Sequence, residues 1–278
     1  MQLVRSSLCA LVCVLILSAG FPAPVSAQEP EPAKPEPAKV VRPYRLGPGD
    51  EPPTLDGNLD DPIWQKAPAV DDFHQIEPVD HGTPTQETRV YLAYDEDFLY
   101  IGADLMDREP EKIRDTQMIQ GSFFFSDDRF VVLLDTFDDD RNSYYFMTNP
   151  NGMRRDALFG SDYFVEDWQG IWYVEAGIDD KGWVAELAIP FKTLAFDPGH
   201  DTWGINFWRG ITRTDEAIAW ASRNREFTPA TCGSAEGLTG MDQGLGLDVV
   251  PSLTWRSREG GQGGDQRLER AELSCAVQ

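Results

Sequence analysis

Apolar residues in this chain come in short runs, some alternating with polar residues and some continuous, each closed by Asp, Asn or Gly. Residues 90–93 and 98–105 flank the turn Asp95-Glu96-Asp97 and predict a hairpin. Residues 172–178 and 183–189 flank Asp179-Asp180-Lys181-Gly182 and predict a second. Residues 129–135 form a continuous apolar run, as expected of a strand buried on both faces. The acidic turn Asp138-Asp139-Asp140 leads into a strand at 143–148, and Asn149-Pro150-Asn151-Gly152 is a strong turn signal. Strands at 203–211 and 217–221 complete the set, and only 60–66 and 191–194 read as short helical turns. Many strands at short spacing predict an all-β domain over residues 44–246, a jelly-roll or immunoglobulin-like β-sandwich.

Strand alternation assigns faces. Trp183, Ala185, Leu187 and Ile189 point one way, and Val184, Glu186 and Ala188 the other. Glu186 thus sits among apolar neighbours and needs a partner if buried; Arg209, on a nearby strand, is the candidate.

The flanks read differently. Residues 1–27 have the layout of an export signal: Arg5 near the start, apolar residues 8–17, and Val25-Ser26-Ala27 before a cleavage point at Gln28. The apolar run is shorter than the roughly 20 residues of a spanning helix, so cleavage and a periplasmic or outer-membrane location are expected. Residues 28–43 form a Pro-rich charged linker. Residues 247–255 read as one further strand, and 256–278 as a disordered polar tail. An orphan strand before such a tail suggests a longer protein cut short.

Charge narrows the partners. Asp and Glu total 47 against 24 Lys and Arg, a net charge of −23. So acidic a chain lacks the basic surface that nucleic acid or anionic membrane requires. Divalent cations remain possible partners, although acidic residues also serve simply to keep an exported protein soluble. Cys232 and Cys275 remain after the signal, with no CxxC and no Cys/His cluster, so neither zinc nor a firm disulfide is expected.

An ordered set of motifs carries a family resemblance. These are Leu55-Asp56-Gly57 with Asp60-Asp61-Pro62-Ile63-Trp64, Tyr94-Asp95 with Leu99-Tyr100-Ile101-Gly102, Asp128 with Leu134-Asp135, and Gly182-Trp183 with Glu186 and Ile189-Pro190-Phe191. Over about residues 50–225 the chain resembles the carbohydrate-binding module family 9 domain, in the version found at the N-terminus of bacterial outer-membrane β-barrel proteins. The resemblance implies a β-sandwich, structural calcium, sugar-chain ends held between two aromatic rings, and a C-terminal barrel whose first strand is 247–255. Where the family has its clamp tryptophans this chain has Phe125 and Phe227. Where the family has a sugar-contacting carboxylate and arginine it has Val131 and Met147.

Calcium takes six to eight oxygen ligands. Asp56, Asp60 and Asp61 gather in one Gly-containing turn, and Asp135 and Asp138 at a strand end beside Asp139 and Asp140. The alternative is that Asp and Gly simply make turns. Saccharides need exposed aromatic faces beside hydrogen-bonding groups. Trp168 and Trp172 flank Gln169-Gly170 with Tyr163, Asp162 and Glu166 nearby, and residues 123–125 form a second aromatic loop. The alternative for each ring is core packing. GxSxG, HExxH and a phosphate loop are absent, and the carboxylates are too many for any pair to mark a glycosidase. Haem held by a methionine such as Met106, Met118, Met147 or Met153 is a further alternative, against which CxxCH is absent. The expectation is a non-catalytic, exported saccharide-binding module tied to carbohydrate uptake or breakdown. The alternative is a structural or docking domain of the same fold.

Overall fold

The computed structural model describes residues 39–122 and 124–244. The expected signal, most of the linker, the strand at 247–255, the tail and Cys275 lie outside the described residues.

In chain order the strands are β1 (Val40–Val41), β2 (Tyr44–Arg45), β3 (Ala69–Val70), β4 (His74–Glu77), β5 (Thr88–Tyr94), β6 (Phe98–Met106), β7 (Arg129–Asp135), β8 (Asn142–Thr148), β9 (Arg154–Gly160), β10 (Tyr163–Val165), β11 (Tyr173–Ile178), β12 (Gly182–Pro190), β13 (Thr202–Ile211), β14 (Glu216–Ala219) and β15 (Gly233–Glu236). Among the described residues one short α-helix, α1 (Pro62–Lys66), starts with Pro in its first turn and ends with Lys66 in its last, each where the helix geometry and dipole favour it. A 3-10 turn at Phe191–Thr193 takes the place of the second expected helical piece.

Two sheets result. One runs β1-β15-β13-β7-β8-β9-β10, with β14 and β4 attached beside β13; the other runs β11-β12-β6-β5-β2, with β3 beside β5. Both expected hairpins form, β5 with β6 and β11 with β12. Seven strands escape the apolar pattern: β1, β2, β3, β4, β9, β10 and β15. In β9, Arg154, Arg155 and Asp156 mask the alternation, and β15 reads Gly-Ser-Ala-Glu. Val40–Val41, inside the expected linker, pairs with β15 and extends the domain to that point.

The sheets close on one core. Trp183, Ala185, Leu187 and Ile189 of β12 and Ile101, Ala103 and Leu105 of β6 face Phe130, Val132 and Leu134 of β7 and Ile205 and Phe207 of β13. Each fully buried large side chain of this kind stabilises the fold by roughly 1.5–3 kcal/mol. The opposite face of β7 is closed too, since Val131 and Leu133 are buried, as its continuous run predicts.

The expected Glu186–Arg209 pair is corrected. Glu186 lies on the outer face of its sheet, beneath α1, where it accepts hydrogen bonds from the backbone N–H of Asp56 and Gly57 at 2.9 and 3.0 Å and from Trp64 Nε1 at 3.0 Å. Burial pushes its pKa up. Arg209 has the parity of Phe207 and Ile211 and points between the sheets. There its guanidinium donates to the carbonyls of Glu87 (2.8 Å), Leu105 (3.3 Å) and Met106 (2.8 Å) and to Thr88 Oγ1 (3.1 Å). Burial lowers its pKa to about 10, still a cation at neutral pH. Arg209 therefore ties β13 of one sheet to the ends of β5 and β6 in the other.

Candidate aromatic and arginine face on the nine-stranded sheet

Register places the site. Trp208 of β13 pairs with Val131 of β7, Val131 with Met147 of β8, and Met147 with Arg155 of β9. Directly opposed residues share a face. Their neighbours Phe207, Phe130, Val132 and Phe146 belong to the core, so this row is on the outer face.

The floor is apolar. Phe124, Val131 and Met147 are buried there, with Tyr145, Met153, Trp208 and Phe227 packed partly exposed around them. Trp208 and Phe227 also border a second patch of Ile76, Ala217 and Ala219. Val131 and Met147, where the resemblance places polar sugar contacts, instead form this floor.

Above it stands an arginine between two rings. The guanidinium carbon of Arg129 lies 5.3 Å from the Phe125 ring centroid and 5.1 Å from that of Trp208, both within cation–π range. Its Nη1 donates to the Phe125 carbonyl at 2.7 Å. Gly210 is the strand partner of Arg129, and a Cβ on it would stand 2.6 Å from the Trp208 ring, so the missing side chain lets the ring lie there. Burial lowers the pKa of Arg129, and the neighbouring Tyr145 and Asp128 work against that shift. On the other side of Tyr145, Arg155 donates to the Gly121 carbonyl at 2.8 Å and pairs with Glu166 at 2.8 Å. Tyr145 has its own pKa raised by burial, while both arginines pull it down.

The sequence-named rings divide. Phe125, 63% exposed, and Phe227 meet on this face. Trp172 does not: it is 0% exposed, packs edge-on against Phe146 with ring centroids 5.3 Å apart, and is a core residue. Trp168 is partly buried against Tyr144 and Phe146. It lines a cleft of about 280 Å³ with Gln120, Arg154, Arg155, Glu166 and Gln169. Tyr163 is exposed on the edge strand β10, its hydroxyl bonded to Asn142 at 2.7 Å. Trp208 and Arg129 were missed by the sequence reading, although the alternation of β13 marks Trp208 as the outward aromatic between inward Phe207 and Arg209.

The acidic clusters do not converge. Among the described residues no group of three or more His, Cys, Asp or Glu side chains comes together as a metal site. Asp135 accepts from the backbone N–H groups of Phe137, Asp139 and Asp140 at 3.3, 3.2 and 2.8 Å. Asp61 accepts from that of Thr54 at 2.8 Å and Asp56 from that of Asn58 at 3.0 Å. Asp138 has positive φ (52°), a turn geometry, and Asp56, Asp60 and Asp61 do not come together as a group of three. These carboxylates shape loops; as placed, their side chains do not supply a calcium cage.

Comparison with known proteins follows this geometry. A family described as "Carbohydrate family 9 binding domain-like" matches residues 55–217. The fold is similar to a carbohydrate binding module family 9 from Caldicellulosiruptor kristjanssonii in complex with cellotriose, at a TM-score of 0.52 and 17% identity over 77% of this chain and 100% of that one. It is likewise similar to a module of that family from the same organism in complex with glucose, at 0.52 and 16% over 74% of this chain and 99% of that one. No curated protein matched the sequence.

Proposed function

We propose, from the premise that the chain belongs to the carbohydrate family 9 binding domain-like family, that it is a non-catalytic saccharide-binding module whose ligand lies across Phe125, Arg129, Trp208 and Phe227. The observation that carries this reading is the Arg129 guanidinium held against two partly open rings on the outer face of the sheet. A pyranose has an apolar face for a ring and an edge of hydroxyls for an arginine fork. The relatives in complex with cellotriose and glucose support the class of ligand. The arginines on this face suit binding rather than proton transfer at neutral pH. Calcium is not part of the reading. The wider setting belongs to the same proposal: an exported module in the periplasm or at the outer membrane, ahead of a membrane barrel, capturing saccharide for uptake or breakdown.

Calorimetric titration of the protein with oligosaccharide panels tests it. Binding that Trp208→Ala abolishes with an unchanged melting temperature is the expected result. A folded protein that binds nothing sinks the reading and leaves a docking role for the fold.

A further inference from the structure

The charge of this face is at odds with the charge of the chain. In a protein of net charge −23, the centre of the face holds a guanidinium that no carboxylate meets. Among the described residues Arg129 forms no ion pair, and its one side-chain hydrogen bond goes to a backbone carbonyl. The acids closest in influence are Asp128, Asp127 and Asp215. Asp127 is occupied by Thr116, Gln117 and Asn149, while Asp128 is buried, accepts the Thr212 N–H with one oxygen and makes no ion pair with Arg129. A second guanidinium, Arg155, stands on the same sheet face, paired with Glu166, and influences the same tyrosine, Tyr145. Contacts with the Phe125 and Trp208 rings and the bond to the Phe125 carbonyl hold the Arg129 fork, and a held fork matches a planar carboxylate with two parallel hydrogen bonds. Sugar hydroxyls satisfy such a fork less well, since neither partner is then an anion. The acidic remainder of the chain opposes this weakly, because at physiological salt charges more than about 8 Å away are largely screened.

We infer that this face selects the acidic end of a saccharide, a uronic acid whose ring lies against Trp208 or Phe125 and whose carboxylate is received by Arg129. The inference rests on the saccharide reading above and narrows it from neutral to anionic sugars.

The test is calorimetric titration of the full chain with a galacturonic acid trisaccharide and with cellotriose, at roughly 0.05 M and roughly 0.5 M salt. The uronide binds at least about tenfold more tightly at low salt, the contribution of a charge-assisted pair, and the advantage shrinks at high salt. Arg129→Gln collapses the ratio of the two affinities. Equal or tighter binding of cellotriose overturns the inference and leaves the saccharide reading standing. A chain that melts cooperatively yet binds neither sugar overturns both. The wild-type comparison decides the matter even where the variant fails to fold.

Discussion

The carboxylate of Glu186 accepts the indole N–H of Trp64 at 3.0 Å, across 122 residues of sequence. Its second oxygen takes the N–H groups of Asp56 and Gly57. The strand partner of Glu186 is Gly102, where a Cβ would stand 3.2 Å from the Trp64 ring, so the ring is seated on the glycine. The Leu-Asp-Gly turn, the Pro-Ile-Trp helix, the glycine of β6 and the glutamate of β12 are thus parts of one joint. These motifs, which carry the family resemblance, fasten the outer wall of the six-stranded sheet. They say little about the proposed ligand face, which belongs to the other sheet.

This joint predicts a large and coupled loss. Glu186→Ala strands the N–H groups of Asp56, Gly57 and Trp64, at about 1–3 kcal/mol each, and so costs about 3 kcal/mol or more. Trp64→Phe removes one of these bonds together with packing volume. The double variant is less destabilised than the sum of the two, since the shared bond is lost once. Guanidinium unfolding of the four proteins measures this, and strict additivity contradicts the joint.

The two tryptophans flanking Gln169-Gly170 part company. Trp172 is fully enclosed, so Trp172→Ala costs about 3–5 kcal/mol through transfer and cavity terms. Trp168 is only partly covered, so Trp168→Phe costs less than about 1.5 kcal/mol, within the range of tolerated apolar replacement. Denaturant midpoints separate them. Equal losses at the two positions contradict the burial described here.

What was legible in the sequence follows from what is local. Alternation in β12 placed Glu186 among apolar neighbours, and turn chemistry placed both hairpins, because each depends on a few adjacent residues. The partner of Glu186 was not legible: the turn at Asp56 and Gly57 lies about 130 residues away, and nothing local records which loop folds over β12. Arg209 was drawn to Glu186 by charge alone, whereas its parity with Phe207 and Ile211 already pointed it inward. Trp172 read as a candidate ligand ring beside Trp168 because its burial depends on Phe146, a residue of a distant strand. The ligand face suffered most, since Phe125, Arg129, Trp208 and Phe227 come from three separate parts of the chain.

Acid exposes one surface contact. Asp50 pairs with Lys66 at the end of α1 and accepts from the Gly47 N–H at 2.8 Å and the Tyr44 hydroxyl at 3.0 Å. Lys66 first, then the Gly47 N–H, hold its pKa down at about 2, against about 3.9 for an unperturbed aspartate. A carboxylate whose folded pKa is lowered contributes stability that is complete above the unfolded value and is lost as pH falls through the folded one. The Asp50→Asn variant is therefore less stable than wild type at neutral pH, and the two melting temperatures converge between pH 4 and pH 2. A gap that stays constant through this window removes Asp50 as its source.

The ligand face can be disturbed without touching any of its own side chains. Gly210 lies under Trp208, and a Cβ there would come within 2.6 and 2.9 Å of two atoms of the indole ring and 3.2 Å of Arg129 Nη2. The backbone of Gly210 is not in the left-handed region, so alanine meets no conformational penalty, and its methyl group can be relieved only by lifting the ring. Lifting Trp208 removes one of the two faces that hold Arg129, while the core beneath β13 is on the opposite side of the sheet. Gly210→Ala therefore lowers saccharide affinity about tenfold, the equivalent of roughly 1.4 kcal/mol, with a change in unfolding free energy within about 1 kcal/mol. Titration calorimetry and thermal melting of the same preparation read the two quantities side by side. Affinity untouched by the methyl group would show that the ligand does not rest on Trp208. A loss of stability equal to the loss of affinity would show that the ring is part of the core.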